Sequence, residues 1–341
     1  MTQASQGWPK SWQKARWSTY TLLIFALIFQ GAAWLRRIWL SKIKSPYVFE
    51  VPIVIVGNVS VGGTGKTPVV AALVDFLKTQ GWSPGIVMRG YKSALTAREV
   101  RIVRPEASAE KMGDEAVLLA RKTACPVAIG INRPKAVALL LQTHPHIDMV
   151  ISDDGLQHYA LGRDIEIVVI DQERGLGNGF CLPAGPLRES AKRLKTVDFC
   201  LINGGEAQLN MLRNTFGLMP RLDPTVSSLV EANLKQDLRF FEGKTVHAVA
   251  GIGNPQRFFT MLKTHGMNII PHAFPDHYFF RSDDFDFEDD LPILMTQKDA
   301  VKCQGMNLPQ AWQVGLQVNL PEVFLNKFLS RLVEISKDKQ R

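Results

Sequence analysis

The chain has 341 residues, enough to bury a large core and, at usual domain sizes, to form about two domains. Its apolar content of 46% and charged content of 21% exclude a wholly disordered chain and a polytopic membrane protein. The formal net charge of +8 favours anionic partners, namely nucleic acid, an acidic membrane leaflet or a phosphorylated substrate.

An apolar segment lies near the N-terminus. Residues 19–35 carry no charge, and tryptophans and basic side chains lie on both sides of them. Aromatic and basic residues bracket apolar segments at bilayer interfaces, but this run is shorter than the ~20 residues that span a hydrocarbon core. We therefore expect residues 1–45 to form a membrane-associated helix, and whether it spans the bilayer or lies in the interface stays open. A buried core helix and a cleaved signal peptide are the alternatives.

Strands and helices alternate after a break at Ser45 and Pro46. Short apolar runs rich in β-branched residues predict strands at residues 51–59, 85–88, 100–103, 127–129, 147–152 and 165–170. Helical patterns cover residues 67–77, 114–122 and 133–142. The alternation repeats on a smaller scale at residues 245–251, 255–264, 268–273, 291–296 and 312–318. This spacing predicts an α/β protein with a mostly parallel sheet and helices on both faces.

A glycine-rich loop separates the first of these strands from the first helix. Its residues are Ser60, Val61, Gly62, Gly63, Thr64, Gly65, Lys66 and Thr67. Glycines let backbone N–H groups face phosphate oxygens, and the helix N-terminus adds its dipole. Lys66 would then reach the β- and γ-phosphates of ATP, and the Thr67 hydroxyl would bind Mg²⁺. Ser60 stands where the P-loop pattern usually has its first glycine, a position that a serine in a turn can fill.

An acidic pair supplies the metal partner that this loop needs. Asp153 and Asp154 follow a buried apolar strand, and Mg²⁺ prefers oxygen ligands. The sequence does not decide which of the two would touch the metal. Asp171, at the end of the next strand, is a competing candidate that lacks a second adjacent acid.

These features define the expected organisation of the chain. Residues 46–229 would form a core domain of the P-loop NTPase type. Residues 230–341 would form a smaller C-terminal α/β domain that closes over the active-site cleft. The boundary between the two is uncertain by roughly ten residues.

Seven short strings, in order along the chain, resemble the tetraacyldisaccharide 4'-kinases of lipid A biosynthesis. They are VGNVSVGGTGKTPVV, MRGYKS, MGDEAVLLA, SDDGLQHYAL with RD, LPAGPLRE, FPDHYFF and TQKDAVK. The resemblance runs from about residue 22 to residue 302, and members of the family commonly carry serine or threonine at the position of Ser60. It implies transfer of the ATP γ-phosphate to the 4'-hydroxyl of an acylated glucosamine disaccharide 1-phosphate. It also implies a place at the cytoplasmic face of a Gram-negative inner membrane, anchored by the N-terminal helix.

The same resemblance assigns the groups that act on the acceptor. A sugar hydroxyl is a poor nucleophile and needs a base within hydrogen-bond reach. The family's pattern implies that Asp114 is this base and that His277 pairs with it to accept or share the proton. From local sequence alone, Asp114 would be a helix-capping acid and His277 a structural or solvated loop residue. The pair draws one residue from each half of the chain, which predicts a site in the cleft between the domains.

Further polar residues are candidates for contacts with phosphate or substrate. Arg89 and Tyr91 follow the second strand, and Arg188 and Glu189 lie in the LPAGPLRE string. A guanidinium can hold a phosphate through two hydrogen bonds. His158, four residues beyond Asp154, could contact a phosphate or orient a metal ligand, or it could give local support only. The string from Thr296 to Asp299 resembles the base-recognition loops of some P-loop proteins, but four residues are too few to carry that assignment.

Two other classes compete with a lipid kinase. A membrane-associated P-loop ATPase switch of the partitioning or targeting type shares the glycine-rich string and a membrane helix. Such switches usually have a lysine at the position of Val61 and a C-terminal membrane helix, which counts against this class. A nucleic-acid-binding ATPase would explain the positive charge, yet no basic tract with interleaved aromatic residues occurs outside the apolar segment. We expect no nucleic acid and no obligate protein partner.

Overall fold

The structure, a computed structural model, describes residues 9–40, 46–91, 93–96, 99–205, 214–231 and 234–341. Residues 1–8 and 41–45 of the expected N-terminal domain therefore lie outside the described residues. The described part of that segment is helical, and its elements are α1 (Lys10–Gln13), α2 (Trp17–Thr21) and α3 (Leu23–Ile38). The expected single helix is thus divided at Leu22. Among the described residues, no helix combines the length and the apolar character needed to cross a membrane.

Alternating strands and helices follow. In chain order they are β1 (Ile53–Gly57), α4 (Lys66–Thr79), β2 (Pro84–Met88), β3 (Val100–Val103), α5 (Ala109–Met112), α6 (Asp114–Thr123), β4 (Val127–Gly130), α7 (Arg133–Thr143), β5 (Met149–Asp153), β6 (Ile165–Asp171), β7 (Phe199–Asn203) and β8 (Thr215–Leu218). A 3-10 helix, Ala191–Thr196, lies between β6 and β7. Local chemistry sets the ends of these helices: at α7, Asn132 accepts a hydrogen bond from the Lys135 N–H and Pro134 lies in the first turn. Every strand and helix predicted for this half is present.

These strands form one eight-stranded sheet. Its order is β3-β4-β2-β5-β1-β6-β7-β8, and only β3 runs antiparallel to its neighbour. One face packs against α4 and α6, and the other packs against α7. The mostly parallel sheet with helices on both faces is therefore confirmed. Because β1 lies between β5 and β6, the loops that follow β1 and β5 meet at the same edge of the sheet.

A second, smaller sheet is built from the rest of the chain. Its elements and those that connect it to the first sheet are β9 (Pro220–Leu222), β10 (Thr225–Ser228), β11 (Lys235–Asp237), β12 (Thr245–Ala250), α8 (Pro255–Thr264), β13 (Asn268–Ala273), β14 (Ile293–Thr296), α9 (Gln297–Ala300), β15 (Ala311–Val314), β16 (Leu316–Val318) and α10 (Glu322–Lys339). The sheet has six strands in the order β11-β10-β15-β14-β12-β13. The strand expected at residues 312–318 is in fact two strands, β15 and β16.

Two connections join the sheets. The chain leaves the first sheet through β9 and returns through β16, and these two strands pair antiparallel. The returning chain ends in α10, whose apolar side contributes Phe324, Phe328, Leu332 and Ile335 to the core of the eight-stranded sheet. The last part of the range 230–341 therefore packs against the larger sheet.

Candidate active site

The glycine-rich loop leaves β1 and enters α4 at Lys66. Gly62 and Gly65 have φ angles of +95° and +82°, the left-handed region that glycine tolerates best. The Asn203 side-chain amide donates to the Thr64 carbonyl at 2.9 Å and crowds Gly65, where an added Cβ would lie 2.1 Å from that nitrogen. The loop is thus bent by its glycines and held from β7, with α4 beginning directly behind it.

The first residues of the loop are held from another side. Ser60 is buried and forms a backbone bridge with Leu187. The neighbouring Val61 N–H donates to the Pro186 carbonyl at 2.9 Å. Ser60 therefore supports the loop through its backbone contacts, and its side chain is not exposed in the cleft.

The acidic pair lies beside this loop. Asp153 is level with Val56 of β1 in the sheet register, and Asp154 follows it in the left-handed region at φ +49°. Asp154 forms an ion pair with Lys66, whose Nζ lies 3.4 Å from Oδ1, and its Oδ2 accepts a hydrogen bond from Arg188 Nη1 at 3.2 Å. Burial alone would raise the pKa of Asp154, but these two cations lower it far below its ordinary value.

Asp153 has a different environment. It is fully buried, and within the described part of the chain it makes no ion pair, although its Oδ1 accepts from the Asp154 N–H at 2.8 Å. Burial raises the pKa of Asp153 to about 7, with Lys66 acting in the opposite direction. A buried carboxylate of this kind gains stability from a nearby cation.

Asp114 and His277 are brought together from the two sheets. Asp114 begins α6, and its Oδ2 lies 2.8 Å from His277 Nδ1, while its Oδ1 accepts from the Glu115 N–H at 2.9 Å. His277 lies in the left-handed region at φ +60°, a conformation that a bulky residue adopts only under constraint. Burial tends to raise the pKa of Asp114, yet the hydrogen bond to His277 and the charge of Lys298 leave the pKa below its ordinary value.

The residues expected to contact phosphate or substrate also face the cleft. Tyr91 packs its ring 5.2 Å from the His277 ring, and Arg89 lies exposed at the end of β2. His158 is largely buried, and burial together with the charges of Arg133 and Arg89 lowers its pKa to about 3. Its imidazole is therefore neutral at neutral pH.

Glu189 faces inward. Its Oε2 accepts from the Tyr159 hydroxyl at 2.5 Å and lies 3.7 Å from Arg193 Nε. Its Oε1 is buried and has no hydrogen-bond partner in the part of the chain that the structure describes. Glu189 is thus tied into a buried network and keeps one free acceptor at the cleft.

These groups surround a cavity of about 1500 Å³ between the two sheets. Its lining contains Gly62, Gly63, Thr64, Gly65, Lys66, Thr67, Arg89, Tyr91, Asp153, Asp154, His158, Arg188, Glu189 and His277. Ser60 and Asp114 are the predicted site residues that are absent from the lining, and Asp114 reaches the cavity through its contact with His277. Residues of α3, among them Phe29 and Arg36, line one side of the same cavity.

The sequence analysis gave no site role to several charged residues of this cavity, among them Arg133 and Lys298. Arg133 is 1% exposed and donates from Nη2 to the Asp153 carbonyl at 2.9 Å. Lys298 contacts Glu115, Asp276 and His277. Neither lies in a pattern that indicates phosphate chemistry, because both depend on neighbours far away in the sequence.

The fold and the loop define a P-loop kinase. The model of the tetraacyldisaccharide-1-P 4'-kinase family matches residues 18–333. A tetraacyldisaccharide 4'-kinase from Hahella chejuensis is 42% identical over 334 residues, 98% of this chain and 94% of that protein. Another from Ruthia magnifica is 43% identical and covers 92% of this chain and 97% of its own length. The chain therefore belongs to the tetraacyldisaccharide-1-P 4'-kinase family, and the resemblance drawn from the seven strings is confirmed.

The fold has a solved counterpart. A crystal structure of LpxK from Aquifex aeolicus, described as an "apo" form in complex with ATP, is similar with a TM-score of 0.76 at 27% identity. The match covers 94% of this chain and 99% of that one. Family membership and fold together favour a kinase over the ATPase switch.

Proposed function

We propose that this kinase transfers the γ-phosphate of ATP to the 4'-hydroxyl of tetraacyldisaccharide 1-phosphate. One observation supports the proposal beyond family membership: Asp114 is hydrogen-bonded to His277, and His277 lines the same cavity as the P-loop. A simple ATPase activates water and needs no second site, whereas a lipid kinase needs a base for its acceptor and room for a large substrate. The cavity of about 1500 Å³ provides that room.

The P-loop holds the nucleotide. Backbone N–H groups between Gly62 and Thr67 and the N-terminus of α4 bind the phosphates, and Lys66 reaches the β- and γ-phosphates. Lys66 now pairs with Asp154, so its ammonium is already held at the loop. The ATP in the LpxK structure from Aquifex aeolicus supports ATP as the donor.

The acidic pair and Thr67 fit a magnesium ion. Carboxylate and hydroxyl oxygens are the ligands that this hard cation prefers. The buried Asp153, without an ion pair among the described residues, has the character of a ligand whose cation is supplied with the nucleotide. Thr67, Asp153 and Asp154 would hold the ion, which would neutralise charge on the phosphates.

Asp114 acts as the base. Its lowered pKa keeps it a carboxylate at neutral pH, ready to accept the proton of the 4'-hydroxyl. As that proton moves to Asp114, the hydroxyl oxygen forms a bond to the γ-phosphorus, and the bond from that phosphorus to the ADP oxygen breaks. His277 holds Asp114 through its Nδ1. Arg89, Tyr91, His158, Arg188 and Glu189 contact the substrate or its phosphates.

The N-terminal helix brings the cavity to the bilayer. Phe29 and Arg36 of α3 line the cavity, while apolar side chains such as Ile24, Ile28 and Leu35 of the same helix are exposed. A helix with exposed apolar residues and flanking basic residues lies in a membrane interface. The enzyme works at the cytoplasmic face of a Gram-negative inner membrane, where its substrate resides, and its positive charge suits that anionic surface.

Phosphate transfer to defined lipids tests the proposal. Purified protein in mixed micelles is given ATP labelled in the γ-phosphate and a panel of acylated disaccharide 1-phosphates. We expect label at the 4'-position, dependent on Mg²⁺ and absent in the Lys66→Ala variant. ATP hydrolysis without label in any lipid would overturn the proposal in favour of the ATPase switch.

A further inference from the structure

Lys298 of α9 lies next to the Asp114–His277 pair, and the reaction proposed above gives it no role. Its side chain is 18% exposed, and its ammonium lies 3.0 Å from Glu115 Oε1, 3.3 Å from Asp276 Oδ1 and 3.3 Å from His277 Nε2. We propose that Lys298 is a positioning residue that holds the proton of the His277 imidazole on Nδ1, so that His277 donates to Asp114.

Hydrogen-bond chemistry fixes the tautomer. An ammonium has three donors and no acceptor, so His277 Nε2 can contact Lys298 only as an acceptor. A neutral imidazole carries one N–H, which then lies on Nδ1 and points at Asp114 Oδ2 at 2.8 Å. The three acceptors around Lys298 match its three protons. A different tautomer would set two donors against each other.

The charges around His277 oppose one another. Asp114 lies at 2.8 Å from Nδ1 and Asp276 at 3.8 Å from Nε2, and both would favour an imidazolium. The ammonium of Lys298 lies closer to Nε2 than Asp276 does and opposes the second proton. Tyr91 covers the ring from a third side and is neutral. Glu115 faces Lys298 rather than the imidazole among the described contacts.

The charge on Lys298 is permanent at neutral pH. Burial alone would lower its pKa, but the carboxylates of Glu115, Asp114 and Asp276 raise the pKa well above its ordinary value. Lys302 adds a further positive charge that acts on Asp114. His277 therefore meets a fixed cation across the whole range in which a histidine normally titrates.

This arrangement deepens the proposed kinase reaction and, for its catalytic meaning, rests on it. With its N–H directed at Asp114, His277 orients the carboxylate that receives the proton of the acceptor hydroxyl. A constant N–H donor from His277 also keeps Asp114 a carboxylate before each turnover. The tautomer itself follows from the contacts alone and can be measured without any lipid.

A purely mechanical role is the competing explanation. Lys298 joins Glu115 of α6 to Asp276 in the loop after β13, so it also links the two sheets. A link of this kind would leave the His277 tautomer unchanged when Lys298 is replaced.

Histidine resonances of the full chain separate the two roles. Protein labelled with ¹⁵N in its seven histidines is titrated by NMR, and the His277 signals are assigned by their loss in His277→Gln. We expect the neutral imidazole of wild-type His277 to show the Nδ1–H tautomer. A wild-type Nε2–H tautomer would overturn the proposal whatever the variants do.

Three variants complete the test. Lys298→Met keeps the length and removes the donor, and we expect part of the His277 signal to move to the Nε2–H tautomer, because Asp276 then remains as an acceptor near Nε2. Lys298→Arg should restore the wild-type tautomer. Glu115→Gln weakens the link between the sheets but keeps Lys298 beside His277, and should leave the tautomer unchanged. The same tautomer in Lys298→Met and wild type would show a mechanical role and overturn the proposal.

The turnover of lipid phosphorylation adds a functional readout. We expect kcat to fall more in Lys298→Met than in Glu115→Gln, and to return in Lys298→Arg. An unchanged kcat in Lys298→Met despite a changed His277 tautomer would overturn the catalytic meaning. Failure of phosphate transfer in the wild-type protein would count against the proposed function alone, because the NMR result does not depend on it.

Discussion

Two adjacent aspartates show how strongly the surroundings of a carboxylate determine its pKa. Asp153 and Asp154 are neighbours in sequence, yet the pKa of the buried Asp153 is raised to about 7 and that of the partly exposed Asp154 is lowered. The difference comes from ion pairs, since Lys66 and Arg188 contact Asp154 directly. Asp154 is therefore already compensated, and Asp153 has the greater need of a bound cation.

Replacing Asp114 tests its assignment as base. Asp114→Asn keeps the shape and removes the group that would take the acceptor proton, so we expect kcat to fall by about 10²- to 10⁴-fold. The dissociation constant for ATP, measured by calorimetry, should not change, because the P-loop is untouched. Glu110→Gln, at an exposed acid of α5, is the control and should keep full turnover. An equal loss of kcat and of ATP affinity would contradict the assignment.

The same carboxylate makes stability depend on pH. The pKa of Asp114 is lower in the folded chain than in a model compound, so the folded state binds its proton more weakly than the unfolded state does. Its contribution is complete above the unfolded value of about 3.9 and is lost as pH falls through the folded pKa. We expect the stability difference between wild type and Asp114→Asn, measured by urea unfolding, to be larger at pH 7 than at about pH 3. A constant difference would show that the charge is not involved.

Two glycines of the P-loop form a matched pair. Gly65→Ala would place a Cβ 2.1 Å from the Asn203 amide at a φ of +82°, whereas a Cβ at Gly63 meets nothing within 4 Å. We therefore expect Gly65→Ala to weaken ATP binding much more than Gly63→Ala does. Calorimetric titration with ATP measures both. Similar losses would mean that the loop is not held by Asn203 in the way its contact indicates.

At the residue scale, the sequence predicts those site features that depend on residues close together in the chain. The P-loop and the acidic pair lie in continuous strings, and the Asp114–His277 pairing became predictable through the family resemblance. Lys298 and Glu115 are 183 residues apart, and no local pattern links them. Arg133 begins an ordinary helix, and its burial against Asp153 depends on the sheet order.

At the scale of elements, α3 has two different surfaces. One side lines the cavity through residues such as Phe29 and Arg36, and the exposed positions elsewhere on the helix are mostly apolar. The helix is fixed to the protein by contacts that include the Arg37 guanidinium, 5.5 Å from the Tyr159 ring. In the proposed function, a helix fixed in this way, with exposed apolar side chains, would give the cavity a defined orientation toward a lipid surface.

A charged substitution on the exposed apolar side of α3 tests the proposed membrane contact. Ile28 is 64% exposed, so Ile28→Glu should leave the fold and the ATP affinity intact. Withdrawing one large apolar side chain from the bilayer and adding a carboxylate should weaken vesicle binding by about tenfold or more. Co-sedimentation with anionic vesicles measures this, and the KM for lipid should rise in parallel.

The control for this prediction is a substitution on another helix, α10. Val323 of α10 is 61% exposed and lies outside the cavity lining, so Val323→Glu makes the same kind of change elsewhere. It should leave vesicle binding unchanged. Equal losses in the two variants would indicate general electrostatic repulsion from the anionic surface rather than a membrane contact made by α3.

Most elements were predictable from their patterns, and the exceptions have physical causes. The strand expected at residues 312–318 divides because β15 pairs in the second sheet while β16 pairs with β9. The division depends on β9, the partner of β16, which lies almost a hundred residues earlier in the chain. The helix α10 was not predicted, although Phe324, Phe328, Leu332 and Ile335 have helical spacing, so a signal for it was present in the sequence.

At the scale of the whole molecule, the order of strands and the return of the chain decide where the cavity lies. The two sheets are connected by β9 and β16, and the cavity lies between them. Alternation predicts a parallel sheet, but it does not predict that β1 lies between β5 and β6 or that the last helix packs on the first sheet. The division into domains at residue 230 stays a prediction, and α10 is a part of that range that packs with the larger sheet.

The packing of α10 against the eight-stranded sheet predicts that buried side chains of this helix stabilise that sheet. Phe328 is fully buried and stacks with Phe324 near Phe199 of β7, in the core of the eight-stranded sheet. Removing its ring leaves a cavity in that core, so Phe328→Ala should lower the free energy of unfolding by about 3–5 kcal/mol. Val323→Ala, at an exposed position of the same helix, should change it by no more than about 0.5 kcal/mol.

Urea unfolding, followed by tryptophan fluorescence and circular dichroism, measures both variants. Because the helix that ends the second half is part of the first core, loss of Phe328 should destabilise the sheet that carries the P-loop and not only the C-terminal helix. ATP protects that sheet by binding its loop, so the nucleotide should partly offset the loss. A Phe328→Ala variant in which only α10 frays, with the P-loop sheet as stable as before, would show that the return of the chain adds no stability to the site.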